Sequence, residues 1–475
     1  MRGLTIAFIA SGLLLTGCAT LAPAYHRPAP PIPATWPRGP SYAPDAPAPD
    51  GFTAAQLGWR KVFVGPDLRL LIEDALRNNR DLRVALLNVE QARAQYRVQR
   101  AALAPSVTAN AAFTREHGAL ATSGVANQGS ADAQTYGLTA DISAYELDLF
   151  GRIRSLTRAA LETYLSTEEA SRAARISLIS QVADSYLALA ADCEQLRIAN
   201  DTLTAQQAEY DLVRNRFEHA VASELDLRQA ESSVAAARSN VAALTTQSAQ
   251  DLNALNLVVG ASVEESRLPK AFGRASFVTA DLPAGVSASI LLQRPDVRQA
   301  EHALRAGNAD IGAARAAFFP TLTLTASGGS ESLQLSSLFK GASGIWTFAP
   351  NLGLPIFDGG ANRARLSASK IQRDIAVAQY DKAIQAAFRE VADALARRGT
   401  IGAQLAADQA NVAAAAASLT LTRARYEHGI DPFLNTLLAQ RALYAAQQTL
   451  ITTELARSQN RVALYRALGG GVEDN

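Results

Sequence analysis

From Arg152 to Val259 the chain carries neither glycine nor proline, a run of about 108 residues, where an average helix has ~11–12. Leu, Ala, Gln, Glu and Arg dominate this run, and all are good helix formers. Apolar residues recur at Ile176, Ile179, Val182, Ala183, Tyr186 and Leu187, the spacing of one helix face. So long a run needs a partner face, and Ala220-Val221-Ala222-Ser223 marks the point where it folds back. Ser223 and Asp226 stand there at capping-box spacing. The pattern predicts a first helix from Arg152 to about Phe217, ~66 residues or ~100 Å at 1.5 Å rise.

Elsewhere the period drops to two. Thr321-Leu322-Thr323-Leu324-Thr325 sets Leu on one face and Thr on the other. Trp346, Phe348, Leu352, Leu354 and Ile356 share a face against Thr347, Asn351 and Gly353. Val107, Ala109, Ala111 and Phe113 oppose Thr108, Asn110 and Thr114. Tyr136, Leu138, Ala140 and Ile142 oppose Thr139, Asp141 and Ser143. Two hydrophilic stretches, Glu116 to Ala133 and Gly328 to Gly344, join these strands in pairs. Strands of ~10 residues, apolar outside and polar inside, suit a membrane barrel. The competing reading is a soluble four-stranded sheet with one buried face.

The pattern occurs twice. Arg100-Ala101-Ala102-Leu103-Ala104-Pro105 matches Arg315-Ala316-Ala317-Phe318-Phe319-Pro320, and Asp81-Leu82-Arg83 matches Asp296-Val297-Arg298, both 215 residues apart. Arg216-Phe217-Glu218-His219-Ala220-Val221 matches Arg425-Tyr426-Glu427-His428-Gly429-Ile430, 209 apart, as are Val182-Ala183-Asp184 with Val391-Ala392-Asp393 and Val259-Gly260 with Leu468-Gly469. In the second copy Gly429-Ile430-Asp431-Pro432 reads as the turn, with Asp as cap and Pro in the first helical turn. Two copies supply only four strands, whereas a bacterial barrel needs about eight or more. An open edge in lipid would leave backbone groups unpaired. Copies of the chain must therefore pool their strands, and three copies give twelve.

Composition removes alternatives. With 45 Lys and Arg against 44 Asp and Glu, the net charge of +1 lacks the electrostatic footprint of a nucleic-acid binder. Beyond the N-terminus there is no apolar run long enough for a membrane helix. The two cysteines, Cys18 and Cys193, form no metal or disulfide framework, and Cys193 reads as a small buried hydrophobe. The histidines at 26, 117, 219, 302 and 428 show no HExxH or other metal spacing, and no catalytic elbow, Walker loop or dinucleotide fingerprint is present. No enzyme, metal or cofactor is expected. Met1-Arg2, the apolar Leu4 to Leu15 and Leu15-Thr16-Gly17-Cys18-Ala19 look like a signal peptide ending in a lipobox, with lipid carried on Cys18. Ala22 to Asp50 is Pro- and Ala-rich and reads as an extended strap.

Taken with Ala24-Tyr25-His26-Arg27-Pro28, Tyr145-Glu146-Leu147-Asp148-Leu149-Phe150-Gly151, Leu292-Gln293-Arg294-Pro295-Asp296-Val297, Pro355-Ile356-Phe357-Asp358-Gly359-Gly360 and Ala439-Gln440-Arg441, these features give a chain that resembles the TolC-like outer membrane factors. Within them it is most similar to the lipoprotein, NodT-type branch serving RND efflux systems. The resemblance implies a mostly α fold with a β-barrel portion. Long helical hairpins would form a trimeric periplasmic tunnel under a twelve-stranded outer membrane barrel. It implies a passive duct whose partners are two further copies, a periplasmic adaptor, an inner-membrane RND transporter and outer membrane lipid. On this reading residues 1–17 are signal and 18–60 the strap. The first repeat is 61–260, with strands at 105–115 and 135–150 and a hairpin at 152–259. An equatorial linker covers 261–294. The second repeat is 295–469, with strands at 320–328 and 345–357 and a hairpin at 361–468, and 470–475 is a tail.

By the same resemblance the helix-turn tips meet the adaptor, through Arg216, Phe217, Glu218 and Ser223 and through Arg425, Tyr426, Glu427 and Gly429. Exposed Phe217 and Tyr426 with their paired arginines would suit a docking surface. Some relatives carry Asp where this chain has Leu438, so a hydrophobic periplasmic constriction of Leu438 and Leu434 is expected there instead of an acidic ring. Asp431, Asp226 and Glu224 are the acidic candidates nearby. Two other functions fit part of the pattern: a lipid-anchored coiled-coil spacer or adhesin, and the outer duct of a type I secretion system.

Overall fold

The computed structural model describes residues 20–42, 58–119, 130–269, 272, 277–278 and 287–470. The signal segment 1–17, Cys18 and the tail beyond residue 470 lie outside these, as do stretches of the strap and the linker. The elements are α1 (Trp59–Val62), α2 (Pro66–Asn78), α3 (Arg80–Ala101), β1 (Thr108–Ala119), β2 (Ser130–Leu147), α4 (Arg152–Glu218), α5 (Glu224–Val259), α6 (Pro295–Ala316), β3 (Thr321–Ser332), β4 (Gly344–Gly353), α7 (Ala361–Glu427) and α8 (Phe433–Ala467). Among the described residues no helix is long and apolar enough to cross a membrane. Two compact units are present. One holds 1–29, 89–167 and 300–380, and the other holds 30–88, 168–299 and 381–475.

The first unit contains the sheet, antiparallel in the order β1-β2-β3-β4. The strands outrun the alternating patches at the hairpin ends. β1 begins at Thr108 and continues to Ala119 instead of ending at 115, and β2 begins at Ser130 instead of 135. β3 runs to Ser332, and β4 stops at Gly353, leaving Leu354 and Ile356 beyond it. The cause is that ladder hydrogen bonds need no apolar side chains. Arg115 and His117 both reach Asp132 across the ladder at 2.6 Å, so the loss of hydrophobicity marks a change of surroundings and not the end of pairing. A bulge between Ile142 and Tyr145, with Ala144 at φ 52°, inserts one residue into β2. Tyr145 and Leu147 thereby join the face of Ile142.

The same unit holds the strap's first described residues against α6. Arg27 forks onto Glu301 at 2.9 and 2.7 Å, Tyr25 donates its hydroxyl to Glu301 at 3.1 Å, and Arg305 donates to it at 2.7 Å. Burial alone would push the Glu301 carboxyl up; its hydrogen bonds and the two guanidinium charges more than reverse this and hold it below the usual carboxylate value. Asn308 donates to the Pro23 carbonyl at 2.8 Å and Arg315 to the Leu21 carbonyl at 3.0 Å. Between them Gly312 has no room for a side chain, since a Cβ would lie 2.8 Å from Ala22.

In the second unit, Leu68, Leu71, Ile72 and Ala75 of α2 recur at helical spacing and are all buried. Two side chains close helix ends at equivalent repeat positions. Asn79 donates to the Val258 carbonyl at 2.8 Å near the end of α5 and accepts the Leu82 N–H at 2.9 Å. Arg294, 215 residues later and 6% exposed, donates to the Ala467 carbonyl at 2.7 Å and binds Asp296 and Glu390 at 2.6 and 2.9 Å. Cys193 is only half-buried, contrary to the expectation that it is core.

Candidate functional site

The first functional surface is the sheet. Cross-strand partners share a face, so the register groups Ala109, Ala111 and Phe113 with Ala140, Leu138 and Tyr136. It continues through Leu322, Leu324 and Ala326 to Leu352, Pro350 and Phe348, with Trp346 opposite Gly328. Phe113, Phe348, Leu352 and Trp346 are 59, 60, 65 and 81% exposed in one chain. So large an uncovered apolar face belongs against a non-aqueous phase. Near its hairpin end the Phe113 and Tyr136 rings pack at 4.9 Å, the arrangement of an interfacial aromatic belt. The opposite face is polar. Asn110 and Thr139 both donate to Asp141, at 2.6 and 2.8 Å, and Ser327 and Thr347 continue the row. The strands, of 12, 18, 12 and 10 residues, are long enough to cross a bilayer at the usual tilt.

The second surface is the pair of hairpin tips. Both helices end in the same way. The Val221 N–H bonds the Arg216 carbonyl at 2.8 Å and the Ala220 N–H bonds Phe217 at 2.9 Å; Ile430 bonds Arg425 at 2.9 Å and Gly429 bonds Tyr426 at 3.0 Å. These are Schellman closures, which put one residue in the left-handed region: Ala220 at φ 59° and Gly429 at φ 71°. His219 and His428, which recur at the two tips, each donate Nδ1–H to a carbonyl four residues back, on Asn215 and Ala424, at 2.8 Å. They cap the last turn, which accounts for their repetition.

The acidic gate candidates are tied into local structure. Asp226 accepts the Ser223 backbone N–H at 3.2 Å and its hydroxyl at 2.7 Å, while Ser223 Oγ accepts the Asp226 N–H at 3.1 Å. This is the capping box that the spacing predicts. Asp431, expected to cap the next helix, does not: Pro432 is the N-cap of α8. Asp431 instead takes both Arg425 Nε and Nη2, at 2.6 and 3.1 Å, and that guanidinium holds its carboxyl below the ordinary value. Glu224 lies at 3.4 Å from Arg228, Glu218 at 3.1 Å from Arg214, and Glu427 at 3.3 Å from Arg423.

The aromatic pair is divided. Phe217 is exposed as expected, but Tyr426 is buried. Its ring packs on Phe433 at 5.4 Å, and the Arg216 guanidinium lies 4.8 Å above it. Arg216 also donates to the Tyr426 and Glu427 carbonyls, at 3.4 and 3.1 Å. Val213, Ala230, Tyr426, Phe433 and Leu437 form a small core, so Tyr426 ties the two hairpins together. No spacing within α7 signals this, because Phe433 and Leu437 lie beyond the turn on α8. Leu434 and Leu438, one turn apart on α8, are 44 and 52% exposed in one chain.

Comparison with known proteins agrees with the sheet as a membrane surface. The family model described as outer membrane efflux protein matches residues 71–261 and 286–470, one match to each repeat. The antibiotic efflux pump outer membrane protein ArpC of Pseudomonas putida is 44% identical over 461 residues, covering 97% of this chain and 94% of its own length. The toluene efflux pump outer membrane protein TtgC, also of Pseudomonas putida, gives the same figures. Among solved structures, the open state of the Neisseria gonorrhoeae MtrE outer membrane channel superposes with a TM-score of 0.84 at 36% identity, covering 96% of this chain and 99% of that one. The sheet with its apolar face accordingly lies in the outer membrane and the hairpins on its periplasmic side. The chain belongs to the outer membrane efflux proteins and forms the outer channel component of an efflux system.

Proposed function

We propose that three copies form one passive duct, with a twelve-stranded barrel above bundled helical hairpins. The observation that carries this is the four-stranded sheet with an exposed apolar face and two open edges, β1 and β4. An open edge in lipid is untenable. With an even number of strands per chain, β4 of one copy meets β1 of the next antiparallel, as a closed barrel requires. The cargo is small molecules handed over by an inner-membrane RND transporter through a periplasmic adaptor, the energy coming from the transporter. Relatives whose names specify toluene and antibiotics support that cargo class.

The adaptor meets the tips 216–223 and 425–432. With Tyr426 withdrawn into the core, the contact falls to Phe217 and to Val221, Leu225 and Ile430, all exposed, around Arg216, Glu218, Ser223, Arg425, Glu427 and Gly429. Leu434 and Leu438 form the hydrophobic constriction, while Asp226 serves chiefly as a cap and Asp431 as the partner of Arg425. Cys18 carries the lipid.

Planar bilayers test the duct. Purified protein is expected to give discrete conductance steps. A preparation that inserts yet never conducts would favour a lipid-anchored spacer. Cys18→Ala is expected to lose the acyl mass while still yielding conducting channels.

A further inference from the structure

Arg93, Arg97 and Arg100 recur at four and three residues along α3, on one helix face. All three are exposed. Among the described residues none of their guanidinium groups has an ion pair or hydrogen bond. No acidic residue occurs between Glu90 and Glu116. The helix dipole accounts for a cation in the last turn, at Arg100, but its effect fades within that turn, so Arg93 and Arg97 need another partner.

Two hydrogen bonds fix the depth of this stripe. Tyr145, near the foot of the apolar face of the sheet, donates its hydroxyl to the Leu103 carbonyl at 3.0 Å. The Leu103 N–H in turn bonds the Arg100 carbonyl at 3.1 Å. Arg100 is thus one turn from the foot of the lipid-facing surface. Arg97 and Arg93 follow at steps of about 4.5 and 6 Å. Bilayer headgroup layers are roughly 5–7 Å deep on each side.

The second repeat shows what fills this position there. Residues 215 further on are Asn308, Gly312 and Arg315, and these hold Pro23, Ala22 and Leu21 of the strap. That strap leads directly to Cys18. Among the described residues no segment of the chain takes its place on α3, and Gly312, which admits the strap, is replaced by Arg97.

We propose that Arg93, Arg97 and Arg100 bind the headgroup phosphate of an anionic phospholipid in the leaflet facing the helices. The fork of a guanidinium matches a phosphate in two hydrogen bonds. Each protomer would then be fastened twice at the same level, through its strap on α6 and through a free lipid on α3. The site rests on the sheet lying in the outer membrane and is independent of adaptor docking.

Native mass spectrometry in mild detergent tests it, with dioleoyl phosphatidylglycerol and phosphatidylcholine as probes. Wild type is expected to retain phosphatidylglycerol in excess over phosphatidylcholine. R93Q/R97Q/R100Q is expected to retain it on the order of a hundredfold less, at the contribution typical of three basic residues at a membrane surface. Lysine replacements at the same positions should keep most of the preference. Retention by wild type should fall as salt rises from about 50 to 500 mM, as screening requires. The proposal is overturned by equal retention in the glutamine variant, by salt-independent retention in wild type, or by displacement of the lipid with millimolar inorganic phosphate. It is also overturned if the glutamine variant loses wild-type assembly that the lysine variant keeps, because the stripe would then be an interface between copies.

Discussion

The two repeats share a backbone plan and solve its problems with different side chains. Where one helix end meets the next, the first repeat uses the neutral amide of Asn79 on Val258, and the second uses the buried Arg294 on Ala467 with Asp296 and Glu390 around it. At the turn, the first accepts Ala220 in the left-handed region where the second has Gly429. At the helix below the sheet, the second carries the strap and the first an uncovered row of arginines. Backbone geometry is thus the conserved quantity between the copies, and charge is what each copy uses differently.

The largest effect is expected where a buried charge closes the helix end. Arg294→Ala leaves Glu390 and the Ala467 carbonyl without their partner, and losing these charge-assisted hydrogen bonds should cost about 3 kcal/mol. Asn79→Ala, which removes neutral hydrogen bonds, should cost about 2 kcal/mol. Thermal unfolding followed by circular dichroism would rank them, and equal shifts would erase the distinction between the copies.

Next is the strap. Gly312→Val forces a side chain into Ala22 and Ser155, an overpacking worth about 1–3 kcal/mol. The strap should yield before the helix does, so chymotrypsin cleavage after Tyr25 should accelerate while the thermal midpoint hardly moves. An unchanged cleavage rate would mean that the strap does not depend on this contact.

The turns come third. Ala220→Gly should stabilise and Gly429→Ala destabilise by similar amounts, about 1 kcal/mol each. No atom lies within 4 Å of a Cβ added at Gly429, so only backbone strain is at issue. Opposite shifts in the unfolding midpoint are expected, and shifts of one sign would refute equivalence of the turns.

The smallest effect is a pH dependence at one residue of the first repeat. Burial, with Asp251 beside it, raises the Asp192 carboxyl to about 7, while the corresponding position of the second repeat is the buried Ile401. A raised folded-state value means that the protonated form is favoured on folding. This contribution is complete below the unfolded carboxylate value near ~4 and is lost as pH rises through the folded value. The melting midpoint should therefore decline from about pH 4 to 7, and Asp192→Ile should reduce that slope.

Much of this was legible in the chain. A glycine- and proline-free run from Arg152 dictates the long helices, and alternation about Leu322 and Leu324 gives the sheet and its lipid face. The capping box at Ser223 and Asp226 could be read directly from spacing. Three features could not. The bulge at Ala144 depends on a single inserted residue opposite Thr325, which periodicity blurs. The strand ends depend on cross-strand pairs such as Arg115 with Asp132, which have no signature in either strand alone. Tyr426 looked like its repeat mate Phe217, but its burial depends on Phe433 from the following helix, so two equivalent aromatic positions divide into one exposed and one structural.

The most direct test of the shared barrel is the mass of the purified assembly by native mass spectrometry. The account predicts a species of three chains that persists in mild detergent, with no stable folded monomer. A folded, membrane-inserted monomer as the sole species would contradict it, because four strands would then have found a way to live in lipid with both edges open.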